Sequence, residues 1–204
     1  MVIRGVPRDL RPAHLITIMN VDHHVCPWQR GALLTVWVRK FLNDPVRITK
    51  PYLSPGATAM DVGCGMGFFT IPMSRLVGAS GKVIAVDVQP EMLAGLQANA
   101  TKAGCDNIIA HQCDPQALGV SQWDGTVDFA ILFYMLHEAP DPQGLIDEVF
   151  AVLKPGGKLL FAEPVMHVNN EEFSQEASLF TEAGLKVIDE PHIPISRTIV
   201  LAKA

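Results

Sequence analysis

Short runs of apolar, often β-branched residues alternate with longer amphipathic stretches from Ala57 onward. The pattern predicts strands at about 57–61, 82–87, 107–112, 127–132 and 157–162, with helices at about 68–78, 90–103 and 142–153 between them. Pro90 and Pro142 stand near the first position of two of these helices, where a missing N–H does no harm. Such alternation is typical of βαβ units that form a parallel sheet.

The pattern changes after the fifth strand. A helix is predicted from Asn170 to about Ala183, and two β-rich runs follow it, Leu185–Ile188 and Ile195–Leu201. The connection between these runs is too short for a crossover helix, so we expect them to pair antiparallel as a hairpin. The sequence therefore predicts an α/β fold with a doubly wound, seven-stranded, mostly parallel sheet that ends in an antiparallel hairpin.

The first 50 residues follow another pattern. A helix is predicted from about Trp28 to Leu42, and Asp44-Pro45 ends it. Its apolar residues share one face, namely Leu33, Leu34, Trp37 and Phe41. We assign residues 1–50 to an N-terminal helical cap and residues 51–204 to the main domain, and we expect about Met19 to Trp28 to close over the active cleft.

Composition and charge narrow the classes of function. The chain of 204 residues is 49% hydrophobic and 18% charged, which suits one core, and its net charge of -5 argues against a nucleic-acid partner. The longest apolar run, Phe129 to Leu136, has eight residues, whereas a membrane-spanning helix needs about 20. Because no export signal and no Cys-x-x-Cys pair is visible, we expect a cytoplasmic protein without membrane attachment.

Three glycines lie at the turn from the first strand to the first helix, in Asp61-Val-Gly-Cys-Gly-Met-Gly67. Glycine permits a positive φ and lets a ligand approach the backbone, while the following helix offers unpaired N–H groups. The spacing G-x-G-x-G differs from the G-x-G-x-x-G of dinucleotide-binding folds, and no P-loop Gly-Lys-Ser/Thr follows. We interpret the turn as a ligand-binding loop, with a purely structural turn as the alternative.

Asp87 ends the second strand, twenty positions after Gly67. An ionised carboxylate only accepts hydrogen bonds, so it suits the two hydroxyls of a ribose. The alternative interpretation is that Asp87 caps the helix that begins near Pro90.

Four ordered motifs, DVGCGMG, VIAVD, HQCD and LKPGG, resemble those of class I S-adenosylmethionine-dependent methyltransferases over about residues 57–204. The resemblance implies S-adenosylmethionine as cofactor, with Asp87 on its ribose and with its methionine portion beside Asp61, Gly63, Cys64, Gly65 and Gly67. It also implies that Gln89 or Met92 lies near the adenosine and that Asp114 binds the adenine amine. Capping of the turn that begins at Pro115 is an equal alternative for Asp114.

Acceptor-side residues are expected at the ends of strands four and five. An aromatic residue followed by Leu-His, in Phe133-Tyr-Met-Leu-His137, resembles quinone-biosynthesis and related methyltransferases. We predict Tyr134, His137 and Glu163 as catalytic residues, with structural roles as the alternative for His137 and Glu163. His23, His24 and Cys26 of the cap are candidates for a base, but we expect no metal, because a closed zinc site needs a fourth ligand.

Methyl transfer from a sulfonium is an in-line displacement, for which positioning alone can supply about 7–11 kcal/mol. We therefore predict an enzyme that methylates a small-molecule acceptor. The alternatives are an NAD-dependent dehydrogenase, which the glycine spacing disfavours, and a non-catalytic Rossmann-like binding subunit, which the intact loop disfavours.

Overall fold

The computed structural model describes residues 43–204, which form a seven-stranded sheet flanked by helices. The strands are β1 Thr58–Val62, β2 Lys82–Asp87, β3 Ile108–Gln112, β4 Val127–Phe133, β5 Leu153–Pro164, β6 Leu185–Asp189 and β7 Ser196–Lys203. The α-helices are α1 Pro45–Thr49, α2 Thr70–Val77, α3 Pro90–Ala103, α4 Pro142–Val152 and α5 Asn170–Glu182. Short 3-10 turns cover Lys50–Tyr52, Ser121–Trp123 and Leu136–Glu138.

The strand order is β3-β2-β1-β4-β5-β7-β6, and every neighbouring pair is parallel except those that involve β7. The predicted mostly parallel sheet and its terminal antiparallel hairpin are therefore confirmed. The chain moves from β1 outward to β3 and then returns to place β4 on the other side of β1. Ligands of such sheets bind in the crevice at this switch point, beyond the carboxyl ends of the strands.

Each face of the sheet carries an apolar cluster, because side chains alternate along the strands. On β4, Ala130 and Leu132 belong to one cluster, whereas Phe129, Ile131 and Phe133 belong to the other. The first cluster includes residues of α4 and α5, and the second includes residues of α2. Among the described residues, no helix is long and apolar enough to cross a membrane.

Local signals explain where the helices begin. Pro90 and Pro142 open α3 and α4 as predicted, and Asp141 caps α4 by accepting a hydrogen bond from the Gly144 amide at 3.0 Å. Helix α5 begins with a capping box in which Asn169 and Glu172 each accept from the other's amide.

One strand boundary differs clearly from prediction. Strand β5 begins at Leu153, not near 157, because Leu153 pairs with Val127 across an irregularity before the regular pairing of Phe129 with Lys158. Asp44 caps α1, since its Oδ1 accepts from the amides of Val46 and Arg47, whereas the helix that it was predicted to end lies outside the described residues.

The predicted helix 28–42 and the cap residues His23, His24 and Cys26 lie outside the described residues. Ile48, Tyr52 and Leu53 pack against the main core, so this part of the chain is continuous with the sheet domain. The division at residue 50 stays a prediction.

Candidate active site

The glycine loop is held between β1, β2 and α2. Asp61 at the end of β1 is 3% exposed, and its Oδ2 accepts a hydrogen bond of 2.5 Å from the Thr70 hydroxyl at the start of α2. The amides of Gly63 and Cys64 both donate to the Val86 carbonyl, at 2.9 and 3.0 Å. These contacts fix the loop against the end of β2, where Asp87 follows.

The three loop glycines serve different purposes. All have a positive φ, +73° at Gly63, +52° at Gly65 and +96° at Gly67. A Cβ at Gly67 would lie 2.6 Å from Leu96 Cδ1, and one at Gly63 would lie 3.2 Å from Met135 Cβ, so these two positions permit close packing. A Cβ at Gly65 would meet nothing within 4 Å. The open space for a ligand therefore lies beside Gly65.

Asp87 supports that space from the neighbouring strand. Its side chain is nearly buried, Oδ2 accepts from the Gly65 amide at 2.8 Å, and Oδ1 accepts from the Gln89 amide at 2.9 Å. Burial raises the pKa of Asp87, while these backbone hydrogen bonds lower it. The contact with Gln89 reaches the residue that precedes α3, which begins without a side-chain cap, so the predicted helix-capping role of Asp87 is wrong. The contact with Gly65 joins the carboxylate to the open loop.

The other predicted cofactor residues, Gln89, Met92 and Asp114, differ in their exposure to solvent. Gln89 immediately precedes α3, Met92 lies in its first turn, and both are half-buried. Asp114 is exposed, and its Oδ1 accepts from the Gln116 amide at 2.9 Å, which confirms the predicted turn cap. Its contact with adenine stays a prediction.

The thiols near the loop are poorly suited to nucleophilic roles. Burial, followed by the nearby carboxylates, raises the pKa of the Cys64 thiol far above its usual range. Burial, with Asp87, raises the pKa of Cys113 to about 11. Since the thiolate is the nucleophile, both side chains line the site as neutral thiols.

His137 and Glu163 form a hydrogen-bonded pair at the ends of β4 and β5. Glu163 is fully buried, its Oε1 accepts from the amides of Leu136 at 2.9 Å and His137 at 3.2 Å, and its Oε2 lies 2.6 Å from His137 Nδ1. The structure thus brings together two of the three predicted catalytic side chains.

The pairing fixes the orientation of the imidazole. Because a carboxylate only accepts, Nδ1 carries the shared proton and Nε2 points away from Glu163, 3.9 Å from Glu138 Oε1. The hydrogen bond to Glu163 raises the pKa of His137, while burial lowers it. A histidine held in this way can take a proton on Nε2, and the buried carboxylate then stabilises the imidazolium.

Tyr134, the third residue predicted to be catalytic, bonds to a residue of β7. Its φ is +65°, and its hydroxyl bonds to the Ser196 hydroxyl and accepts from Asn43 Nδ2 at 3.4 Å. Its ring packs with the apolar cluster of the sheet face opposite to the one that holds Phe161. Tyr134 therefore joins the end of β4 to the start of β7, and its catalytic role stays a prediction.

Two residues near the site were not predicted from the sequence to belong to it. Met135 packs on Gly63 and so joins the loop to the segment that carries His137. Glu176 of α5 interacts electrostatically with His137 and Glu163. Its spacing from Phe173 and Phe180 was the available signal, since all three share one helical face.

In residues 43–204 no group of three or more His, Cys, Asp or Glu side chains could hold a metal ion. The cap residues considered as zinc ligands lie outside this range.

Comparison with known proteins gives consistent matches. A family model described as a methyltransferase domain matches residues 53–190. An arsenite methyltransferase of Halobacterium salinarum is 32% identical over 113 residues, 55% of this chain and 28% of that protein. A ubiquinone/menaquinone biosynthesis C-methyltransferase (UbiE) of Pasteurella multocida is 35% identical over 135 residues, 64% of this chain and 47% of that protein.

The chain therefore spans less than half the length of either curated relative. Among solved structures, a SAM-dependent methyltransferase from Aquifex aeolicus superposes with a TM-score of 0.75 at 25% identity, over 87% of this chain and 97% of that one.

Proposed function

The chain belongs to the methyltransferase domain family, and on this premise we propose that it transfers a methyl group from S-adenosylmethionine to a small-molecule acceptor. Membership confirms the family that the four sequence motifs predicted. The observation that carries the proposal is the open space beside Gly65, with the Asp87 carboxylate hydrogen-bonded to the amide of the same glycine.

This arrangement fits S-adenosylmethionine. Asp87 accepts from the Gly65 amide on Oδ2 and from the Gln89 amide on Oδ1, and an ionised carboxylate, which only accepts, suits the hydroxyls of a ribose. The absence of a Cβ at Gly65 leaves the loop backbone accessible to the rest of the ligand. When bound, S-adenosylmethionine would supply a methyl group on a positively charged sulfur; the acceptor's nucleophile would take the methyl group and S-adenosylhomocysteine would leave.

The acceptor side consists of the His137–Glu163 pair. We propose that His137 Nε2 removes a proton from the acceptor's nucleophilic group, while Glu163 holds the imidazole in orientation through Nδ1. Met135 packs on Gly63 two residues before His137, so the loop and the base belong to one continuous surface. His137 and Glu163 thereby position the acceptor and remove its proton, and methyl transfer requires little more from the protein.

A small molecule is the acceptor class that we propose. The relatives carry names that refer to arsenite and to ubiquinone or menaquinone biosynthesis. The net charge of -5 is unfavourable for a phosphate backbone. A base placed at Nε2 is useful for an acceptor whose nucleophilic atom must lose a proton. We also propose a cytoplasmic location, in keeping with the cysteine pattern.

Calorimetric titration with S-adenosylmethionine, S-adenosylhomocysteine and NAD, side by side, tests the proposal. We expect both sulfur nucleosides to bind at least about tenfold more tightly than NAD, a difference of about 1.4 kcal/mol. Formation of S-adenosylhomocysteine on addition of arsenite or of a hydroxylated quinone precursor then tests transfer. Tighter binding of NAD would contradict the proposal and favour a dehydrogenase, whereas binding without turnover of any acceptor would favour a binding subunit.

A further inference from the structure

Glu176 lies on the apolar, inward face of α5. Phe173 stacks on Phe161 of β5 with ring centroids 5.3 Å apart, and Phe180 contacts the same ring at 4.8 Å. Glu176 comes three residues after Phe173 and four before Phe180, so it projects from the same side of the helix. Glutamate is rarely placed among buried apolar residues unless it has a partner. Its position therefore calls for a physical reason.

The carboxyl group of Glu176 lacks hydrogen bonds of the kind that Glu163 accepts. Glu176 Oε2 is buried and has no hydrogen-bond partner among the described residues. Glu163, in contrast, accepts three hydrogen bonds, two from backbone amides and one from His137 Nδ1. Donors stabilise a carboxylate, and a buried charge without them is costly. Of the two carboxyl groups, Glu176 is therefore the one whose environment favours the protonated form.

Most of the charges around Glu176 also favour its protonated form. Burial and then the negative charge of Glu163 raise the pKa of Glu176 to about 7, and only His137 opposes them. Glu172 of the same helix adds a smaller negative contribution. The remaining groups that face the pair are Glu138, which raises the pKa of His137, and His167, whose ring lies 5.7 Å from that of His137.

The nearest cation of β7 does not neutralise this cluster. Arg197 Nε donates to Asn170 Oδ1 at 2.7 Å, at the start of α5, and its guanidinium also donates at 2.6 Å to the carbonyl of Val168, which precedes the helix. Glu163 thus binds the imidazole of His137 directly, and Glu176 acts on it electrostatically.

We propose that Glu176 is a positioning residue of the acceptor site that acts through His137, because its carboxyl group sets how readily the His137–Glu163 pair holds an additional proton. When Glu176 is neutral, Glu163 and Glu138 are the carboxylates that act on His137. Ionised Glu176 adds a further negative charge and helps to keep the proton on Nε2. His137 can therefore act as a base only at a pH at which the neighbouring carboxylates do not keep its Nε2 protonated. The part that this plays in methyl transfer rests on the proposed function, whereas the coupling of the three groups does not.

Nuclear magnetic resonance of the full chain tests the coupling without any acceptor. Carboxyl ¹³C signals of labelled glutamate and ring ¹⁵N signals of histidine are followed between about pH 5 and 9, the range in which an imidazole titrates. We expect Glu176 to titrate near neutral pH. In Glu176→Gln we expect the His137 midpoint to fall by roughly 0.5 unit or more, because the substitution removes a negative charge that favours the imidazolium at a partly buried site.

Glu171→Gln is the matched control, since Glu171 is an exposed glutamate of the same helix. It should leave the His137 midpoint unchanged. The inference is overturned if Glu176 titrates at about pH 4, as an ordinary glutamate does, or if Glu176→Gln and Glu171→Gln have the same His137 midpoint. If the glutamine variant does not fold, the Glu176 signal of the unsubstituted chain still decides, with Glu176→Asp used for its assignment.

Turnover separates this inference from the proposed function. If the chain transfers methyl groups, the acid limb of kcat/KM in Glu176→Gln should move to lower pH by the same amount as the His137 midpoint. If the limb does not move although the midpoint does, Glu176 has no part in catalysis and this inference fails. If no acceptor is methylated while the midpoints shift as expected, the proposed function fails and the coupling of Glu176 to His137 stands.

Discussion

Replacing Asp87 with asparagine should weaken S-adenosylmethionine binding without unfolding the chain. The carboxylate is already used by the Gly65 and Gln89 amides, so alanine would disturb the loop and the start of α3 together. Asparagine is nearly isosteric and keeps one acceptor oxygen for these amides. What it loses is the charge and the second acceptor, the features that a ribose diol requires.

The expected cost follows from the bonds involved. Hydrogen bonds to charged groups contribute about 1.5–3 kcal/mol, and the partial retention of one acceptor lowers the expected loss to about 1–3 kcal/mol. This loss corresponds to a dissociation constant about 5- to 150-fold higher, measured by calorimetry. The effect should be similar for S-adenosylhomocysteine, because the ribose is common to both ligands.

Asp106→Asn is the matched control for this experiment. Asp106 is exposed and precedes β3, at the amino ends of the parallel strands, whereas Asp87 lies at their carboxyl ends. Its substitution should leave both dissociation constants unchanged. The melting temperature of Asp87→Asn should stay within about 5 °C of the original chain, since a loss of 1 kcal/mol corresponds to about 2–4 °C at this size. Unchanged affinity in a folded Asp87→Asn chain would refute the placement of the ribose.

Gly65→Val should abolish cofactor binding while circular dichroism stays normal, since the new side chain fills open space, and its φ of +52° should also lower the melting temperature; retained affinity in this variant would contradict the placement of the ligand. Gly67→Ala should lower the melting temperature because its Cβ would overlap core atoms. Glu163→Gln should flatten the pH dependence of the unfolding free energy. The hydrogen bond raises the pKa of His137, so its stabilisation is complete below the ordinary value of 6.5 and is lost as pH rises through the folded-state value; the same slope in urea titrations of both chains would argue against it. Removal of the chain before about Gly31 should leave cofactor affinity within about 1 kcal/mol but reduce turnover about 10²-fold if the cap positions the acceptor; an unchanged rate would show that the cap has no part in it.

The strands were predictable because their signals are local. Apolar runs bounded by glycine, proline or polar residues set β1 to β4 within one or two residues of the structure. The start of β5 was not predictable, since Leu153-Lys-Pro-Gly-Gly157 has the composition of a turn, and only pairing with Val127 makes its first residue a strand. Partners distant in sequence override composition at such positions.

Some features of the candidate site were likewise predictable from the sequence, and others depend on packing. The loop glycines and Asp87 follow from a motif, but the difference between Gly65 and Gly67 depends on how Leu96 of α3 packs. His137 and Glu163 were identified separately, and the hydrogen bond between them, across 26 residues, exists because β4 and β5 are parallel neighbours. Glu176 belongs to no motif, and its importance appears only when α5 is packed on the sheet.

The position of β7 between β5 and β6 has a consequence for synthesis on the ribosome. β6 is made before β7, yet it joins the sheet through β7, and β5 shows an open edge until β7 inserts beside it. An unpaired strand edge is a site for association with other chains. During translation the nascent chain is therefore most vulnerable to aggregation in the interval between the emergence of β5 and that of β7, and a chaperone that covers this edge would act in that interval.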